Sequence, residues 1–209
     1  MNYKRIPLGP LWTNCYVVDD GCGTALCADV GGEPEDILAW LKRENLHLDA
    51  IVLTHGHMDH ILGVCALQKA TGARLYVPED DAAMLTNPDL SLASEFGVDV
   101  EPAKADVLTR EGYQFTVGAL TLTTLHTPGH TKGSTCYIVE QGTEKLLLAG
   151  DTLFARSIGR TDLAGGDEEA MNRSLSRLAA IEGDMPVLPG HGPVTTLETE
   201  RQKNPFLKG

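Results

Sequence analysis

Three observations predict an α/β chain in which a mostly antiparallel sheet system carries helices on its outside. Short apolar runs of strand length recur along all 209 residues, and amphipathic stretches of helical period lie between them. Hairpin turns stand at Val117-Gly118-Ala119 and Gln141-Gly142-Thr143. No internal repeat, low-complexity tract or linker interrupts the pattern. Residues 1–209 are therefore expected to form one domain, of a size that can bury a full core.

Strands are expected at 15–18, 24–29, 50–53, 74–77, 113–117, 120–125, 135–139, 145–149 and 186–188, where short apolar runs are bounded by turn formers. A first helix begins near Pro34, whose fixed φ suits a first turn, presents Ile37, Leu38, Trp40 and Leu41, and stops near Asn45. A second runs from about His60 to Thr71 with Leu62, Ala66 and Leu67 inward and Gly72 as its stop. Another starts at Asp167, an N-cap, with Glu168 and Glu169 at its positive end and Met171, Leu175 and Leu178 on one face. Residues 78–108 are polar and broken by Pro88, Gly97 and Pro102. A short helix with plain connections is expected there, with a lid or substrate-side loop as the alternative.

The strands end on chemistry. After 50–53 the chain reads Thr54-His55-Gly56-His57-Met58-Asp59-His60, three imidazoles and one carboxylate within six positions. His55 and His57, two apart in a loop, can face one ion, and Asp59 and His60, at the mouth of the next helix, can face a second. A catalytic zinc that keeps a position open for water takes three protein ligands, so this cluster holds too many donors for one ion. Histidines do collect in Gly-containing loops by chance, and for a single one that reading would win; for H-x-H-x-D-H behind an apolar run it does not. Three more runs end likewise, at Thr127-Pro128-Gly129-His130, at Gly150-Asp151 and at Pro189-Gly190-His191. The Gly before each ligand type supplies a tight turn.

This set, in this order, resembles the metallo-β-lactamase superfamily and, within it, the glyoxalase II-like hydrolases. The resemblance runs from Asp29-Val30-Gly31-Gly32 to Pro189-Gly190-His191-Gly192. It implies a four-layer αββα sandwich with metals at one edge between two sheets. It also implies His55, His57 and His130 on a first metal, Asp59, His60 and His191 on a second, Asp151 as the bridge, and Asp29 orienting a ligand imidazole. The implied cofactors are two divalent ions, zinc first, although His/Asp sites also accept iron or manganese.

Two such ions sharing Asp151 would hold a bridging hydroxide, since metal binding lowers the pKa of water to about 7. Ester, thioester, lactone and amide hydrolysis are then all feasible. A thiol of pKa about 8.5 leaves as thiolate, whereas an amine needs a placed acid that no motif supplies. This favours a thioester, and the resemblance to glyoxalase II implies one such as S-lactoylglutathione; Asp59 could still shuttle protons. A lactone or another ester is the alternative within hydrolysis. Arg160, nine residues after Asp151, stands where glyoxalase II carries a basic substrate-binding residue and could pair with a substrate carboxylate, or instead with Asp162. Lys132 and Ser134 flank the His130 loop and could touch substrate, while His126 and His47 read as ordinary histidines.

Two rivals share the fold. A persulfide dioxygenase, which also carries a Gly-Arg-Thr-Asp stretch, would use one iron on two His and one Asp. A flavodiiron-type module would need Glu where His57 stands and a flavin domain. Full glyoxalase II holds glutathione with a C-terminal helical region, whereas 18 residues follow His191 here. Inefficient turnover of the glutathione thioester is the expectation that follows.

Composition narrows the partners. A formal charge of −12 argues against a nucleic-acid substrate, which needs Lys/Arg tracts to offset phosphate. No apolar run approaches the ~20 residues of a membrane span, and no h-region follows Met1-Asn2-Tyr3-Lys4-Arg5, so a cytoplasmic protein is expected. The five cysteines, Cys15, Cys22, Cys27, Cys65 and Cys136, have no C-x-x-C spacing and read as small buried hydrophobes.

Overall fold

The structure is a computed structural model that describes residues 1–207. Its strands build two six-stranded sheets and one small hairpin. The first sheet takes β1 (Asn2–Leu8), β2 (Thr13–Asp19), β3 (Thr24–Ala28), β4 (His47–Val52), β5 (Arg74–Pro78) and β6 (Val107–Thr109) in sequence order. The second has the order β14-β13-β10-β9-β8-β7, from β7 (Gln114–Val117), β8 (Leu120–His126), β9 (Thr135–Gln141), β10 (Glu144–Gly150), β13 (Pro186–Pro189) and β14 (Thr195–Thr196). Between β10 and β13 the chain makes the hairpin β11 (Leu153–Phe154) and β12 (Ser157–Ile158).

Alternation along the strands sorts the interior into three cores, and three cores require four layers. Tyr16 and Val18 of β2 and Leu146 and Leu148 of β10 meet between the sheets. Their neighbours Cys15 and Val17 turn outward to Ile37 and Leu41 of α1 (Glu35–Arg43) and to Leu67 of α3 (Val64–Thr71). Leu147 and Ala149 turn the other way, to Met171, Leu175 and Leu178 of α5 (Glu168–Ala179) and Leu197 of α6 (Leu197–Lys203). Strands buried on both faces lose the polar half of their alternation, which is why the central ones read as continuous apolar runs.

The expected αββα layering is thus what the chain adopts, with several local differences. The first sheet is mixed: β3-β4, β4-β5 and β5-β6 are parallel, as is β10-β13 in the second, because helix crossovers rather than hairpins join the first set. The second helix breaks in two, α2 (Met58–Ile61) and α3, at Leu62-Gly63. Gly63 packs onto the turn after β3; a Cβ there would sit 1.9 Å from Gly32 O, and its N–H donates to Val30 O at 2.9 Å. Pro34 is the N-cap of α1 rather than its first residue, and Gly72 ends α3 with φ 72° as expected. Asp167 caps α5 by accepting from Ala170 N.

The segment 78–108 is more structured than its composition suggests. It holds a 3-10 helix, Glu79–Leu85, then α4 (Ala93–Phe96) and the short edge strand β6. Cys22 is exposed, against the expectation of five buried cysteines, while Cys15, Cys27, Cys65 and Cys136 are buried. Among the described residues no helix is long and apolar enough to cross a membrane.

Candidate metal centre

Strand ends from both sheets converge on one edge of the sandwich. β4 delivers the loop from Thr54 to α2, and the loops after β8, β10 and β13 deliver His130, Asp151 and His191. Gly129 and Gly150 take positive φ (141° and 47°) as the turn argument requires. Gly190 is needed for a different reason, room: a Cβ there would lie 2.2 Å from Asp151 Oδ1 and 2.8 Å from His60 Cε1.

The ligand-type atoms fall into three groups, each with all members within 4.8 Å of one another: His55, His57 and His130; His55, His60 and Asp151; and Asp59, His60 and His191. Asp151 reaches across them, with Oδ1 3.4 Å from His60 Nε2 and Oδ2 3.6 Å from His130 Nε2 and 3.5 Å from His191 Nε2. These separations are too long for good hydrogen bonds and leave space for intervening cations. His57 Nδ1 lies 2.9 Å from His130 Nε2, and Asp59 Oδ2 lies 3.2 Å from His191 Nε2.

Buried polar atoms normally have partners, yet His55 Nε2, His57 Nε2, His60 Nε2 and Asp151 Oδ1 have no hydrogen-bond partner among the described residues. Burial and the neighbouring imidazoles push His57 down to about 3 and His55 well below the usual histidine range. Burial opposes charge on Asp151, but His60 outweighs it and the carboxyl is held below its ordinary value. Burial also opposes charge on His60 and His191, but the Asp59 and Asp151 carboxylates outweigh it and hold both imidazoles above the usual histidine range, so a divalent cation would take the place of protons there and meet neutral donors at His55 and His57. The residues fit a metal.

Other groups fix the donors. Asp29 Oδ2 is 3.0 Å from His60 Nδ1, and the same carboxylate accepts from Thr54 N and Thr54 Oγ1 at 2.9 and 2.8 Å. Thr54 Oγ1 in turn lies 3.1 Å from His55 Nδ1. Thr13 Oγ1 donates to Asp59 Oδ2 at 2.8 Å. The Arg160 carbonyl accepts from His130 Nδ1 at 2.8 Å. Sequence reasoning placed Asp29 here but missed Thr13, Thr54 and, above all, Asp81. The Asp81 carboxylate is buried and accepts from Gly56 N (3.1 Å), Gly133 N (2.8 Å) and Thr131 Oγ1 (2.7 Å), tying the His55–His57 loop to the His130 loop. Asp81 is the last of three consecutive acids, Glu79-Asp80-Asp81, and nothing in that run singles out the buried one.

A cavity of about 470 Å³ opens over the centre. His57, Asp59, His130, Asp151 and His191 form its floor, and Leu11, Leu92, Phe96, Phe154, Ile158 and Leu163 its wall. Ser91, Leu92 and Phe96 thus line the cavity from the start and end of the short helix expected in their segment. Arg160 also lines the cavity, but its guanidinium donates twice to Asp162, at 2.7 and 2.8 Å. Lys132 is exposed and lies outside the lining; its carbonyl is 2.7 Å from His126 Nε2. Ser134 is buried and holds Thr131 N and Oγ1.

Comparison with known proteins agrees with this architecture. The family model described as "Metallo-beta-lactamase superfamily" matches residues 8–191. The hydroxyacylglutathione hydrolase GloC of Haemophilus influenzae is 30% identical, over 99% of this chain and 98% of its own. Among solved structures, the BLEG-1 B3 metallo-β-lactamase is 39% identical with TM-score 0.92, covering 100% of both chains. TTHA1623 in a di-iron-bound form is 36% identical with TM-score 0.85, covering 97% of this chain and 99% of that one. With two packed sheets, a His/Asp metal site at their shared edge and a family match over most of its length, the chain belongs to the metallo-β-lactamase superfamily.

Proposed function

We propose that this metallohydrolase is binuclear and cleaves acyl thioesters. What carries the reading is the convergence of two sets of three ligand atoms at the base of one cavity, where His57, His130, Asp59 and His191 reach the lining and Asp151 lies near both sets. His55, His57 and His130 would hold one ion, Asp59, His60 and His191 the other, with Asp151 between them. When bound, two divalent ions supply a Lewis acid for a carbonyl oxygen and lower the pKa of water to about 7. The identity of the metal stays with chemistry and supply: zinc suits the donor set, and the di-iron form of TTHA1623 shows that a relative can hold iron.

The protein's own groups then decide the substrate. Outside the proposed ligands, the cavity lining offers no carboxyl, imidazole, phenol, thiol or amine to protonate a departing amine. A leaving group that departs as an anion suits this surface, and thiolate does so at neutral pH. Asp59, held by Thr13 and facing His191, serves better as a ligand than as the proton shuttle its position in the motif allows. Similarity to GloC, a hydroxyacylglutathione hydrolase, favours the same class. The one-iron persulfide dioxygenase alternative would leave Asp59, His60 and His191 idle, although their donor atoms face one another.

The test combines metal analysis with a hydrolysis screen against thioesters, lactones and β-lactams. Two equivalents of metal and turnover of thioesters are expected. Oxygen consumption with a persulfide, or turnover confined to lactones or β-lactams, would overturn the substrate assignment.

A further inference from the structure

Above its metal-facing floor the cavity is built almost wholly from hydrocarbon. Leu11, Leu92, Phe96, Phe154, Ile158 and Leu163 come from three separate stretches of chain, so the apolar wall is assembled by the fold. Among the described residues, only Ser91 and Arg160 bring polar side chains to it outside the proposed ligands, and both are engaged. Ser91 Oγ donates to Pro88 O at 3.4 Å, and Arg160 forks onto Asp162.

The wall is also held in place. Met58 N, inside the metal loop, donates to Ser91 O at 2.8 Å, which pins the 91–96 segment to the centre. Leu92 has φ +67°, a conformation that leucine rarely adopts, yet its side chain is buried at 8% exposure. A bulky residue kept in a left-handed conformation at a cavity wall is the kind of strain that surrounding structure maintains at ligand sites.

We propose that this wall is an acyl-chain subsite, which makes the preferred substrate a thioester of a medium-length apolar acid rather than of a short hydroxy acid. The inference rests on the thioesterase reading and names its substrate class. The assignment to the acyl half follows from what the wall lacks. A peptide-like thiol with amides and charges finds no free partner inside the cavity and must lie beyond the rim, so the enclosed apolar space falls to the group on the other side of the scissile carbonyl.

Two series of thioesters on metal-loaded protein test this. In one, the acyl group grows from acetyl to decanoyl on a fixed neutral thiol, N-acetylcysteamine; in the other, acetyl is fixed and an alkyl thiol grows. Burying one methylene corresponds to about fourfold in kcat/KM, the equivalent of ~0.8 kcal/mol. The acyl series should climb by about that factor per carbon as far as hexanoyl, the lactoyl thioester should lie roughly tenfold or more below hexanoyl, and the thiol series should stay flat. Leu92→Ser and Phe96→Ser should each cut the hexanoyl-to-acetyl ratio by about tenfold. Phe96, 52% exposed, can be changed without opening the core. A flat acyl series, or a slope in the thiol series instead, overturns the subsite. Calorimetric titration with straight-chain carboxylates, butyrate to decanoate, separates this inference from the reaction. If no thioester is cleaved while affinity still climbs with chain length and falls in the variants, the subsite stands and the reaction fails. Cleavage without chain-length dependence in either series means the reverse, and absence of both removes both.

Discussion

Replacing Asp81 should loosen two ligand-bearing loops at once, although Asp81 is not a proposed metal ligand. Its carboxylate is fully buried and accepts from Gly56 N, Gly133 N and Thr131 Oγ1. In Asp81→Ala the Thr131 hydroxyl keeps Ser134 Oγ at 2.7 Å, but the two backbone N–H groups lose their acceptor. An unpaired buried donor costs about 1–3 kcal/mol, so two cost roughly 2–6. Against this stands relief from burying the carboxyl, whose pKa burial holds above its ordinary value. A net loss of about 3 kcal/mol is expected in urea unfolding of the metal-stripped protein. Because Gly56 lies between His55 and His57, and Gly133 follows His130, metal affinity measured against a competing chelator should drop about 10–100-fold. Asp81→Asn keeps one acceptor oxygen and turns an amide N–H₂ toward the remaining donors, so it should fall between. Loss of stability with metal affinity unchanged within about twofold would show that the loops keep their geometry without this tie. Unchanged stability would refute the hydrogen-bond account itself.

Asp151→Ala should lower both metal occupancy and turnover, and His191→Ala should mainly empty the second position, as read by metal analysis; full wild-type activity on one equivalent of metal would sink the binuclear reading. Gly190→Ala should leave the fold intact by circular dichroism but cost about a hundredfold in kcat, because its Cβ would displace the Asp151 carboxylate from 2.2 Å; wild-type turnover would show that the two can part cheaply. Arg160→Ala should raise KM for an anionic thioester only about threefold, since the exposed guanidinium is already paired, and Asp162→Ala should lower it by freeing that charge. An equal effect of both variants on neutral and anionic substrates would remove Arg160 from substrate recognition.

The sequence revealed the parts of the site that are local. His55, His57, Asp59 and His60 sit within six positions behind an apolar run, and His130, Asp151 and His191 each follow a strand-like run and a glycine. Alternation showed most strands and both amphipathic helices at 35–43 and 168–179. It failed at β1, whose first four residues are exposed, and at β6, β11, β12 and β14, which have two or three residues each and hence no period to read. It also missed the parallel pairing of β3 to β6, since periodicity along one strand says nothing of its neighbour's direction. The cavity wall stayed hidden for a further reason: its leucines and phenylalanines are scattered, and an apolar residue in a loop looks the same whether it faces solvent, core or ligand.

That asymmetry bears on how such a site can change its substrate. The proposed ligands come from both sheets, so the sheets must be fixed against each other before any cation arrives. Buried polar ties do this at the site edge. Tyr137 Oη donates to Leu53 O at 2.9 Å, Tyr16 Oη to Pro189 O at 3.0 Å, and Asn14 Nδ2 to Pro189 O and Gly192 O, both at 2.9 Å. Breaking any of them strands a buried polar group and shifts a ligand-bearing strand end, so the floor is costly to alter. The cavity lining has ties of its own, from Met58 N to Ser91 O, from His130 Nδ1 to Arg160 O and from Asn204 Nδ2 to Phe154 O, but these go to backbone carbonyls and leave the side chains free to change. Leu11, Phe96 and Leu163 are exposed or half-buried and can be exchanged at little expense to the core. A floor held rigid by cross-sheet hydrogen bonds, beneath a wall that includes exposed and half-buried side chains, would separate the proposed chemistry from the choice of acyl group. Relatives that share the floor can therefore differ in what they cleave.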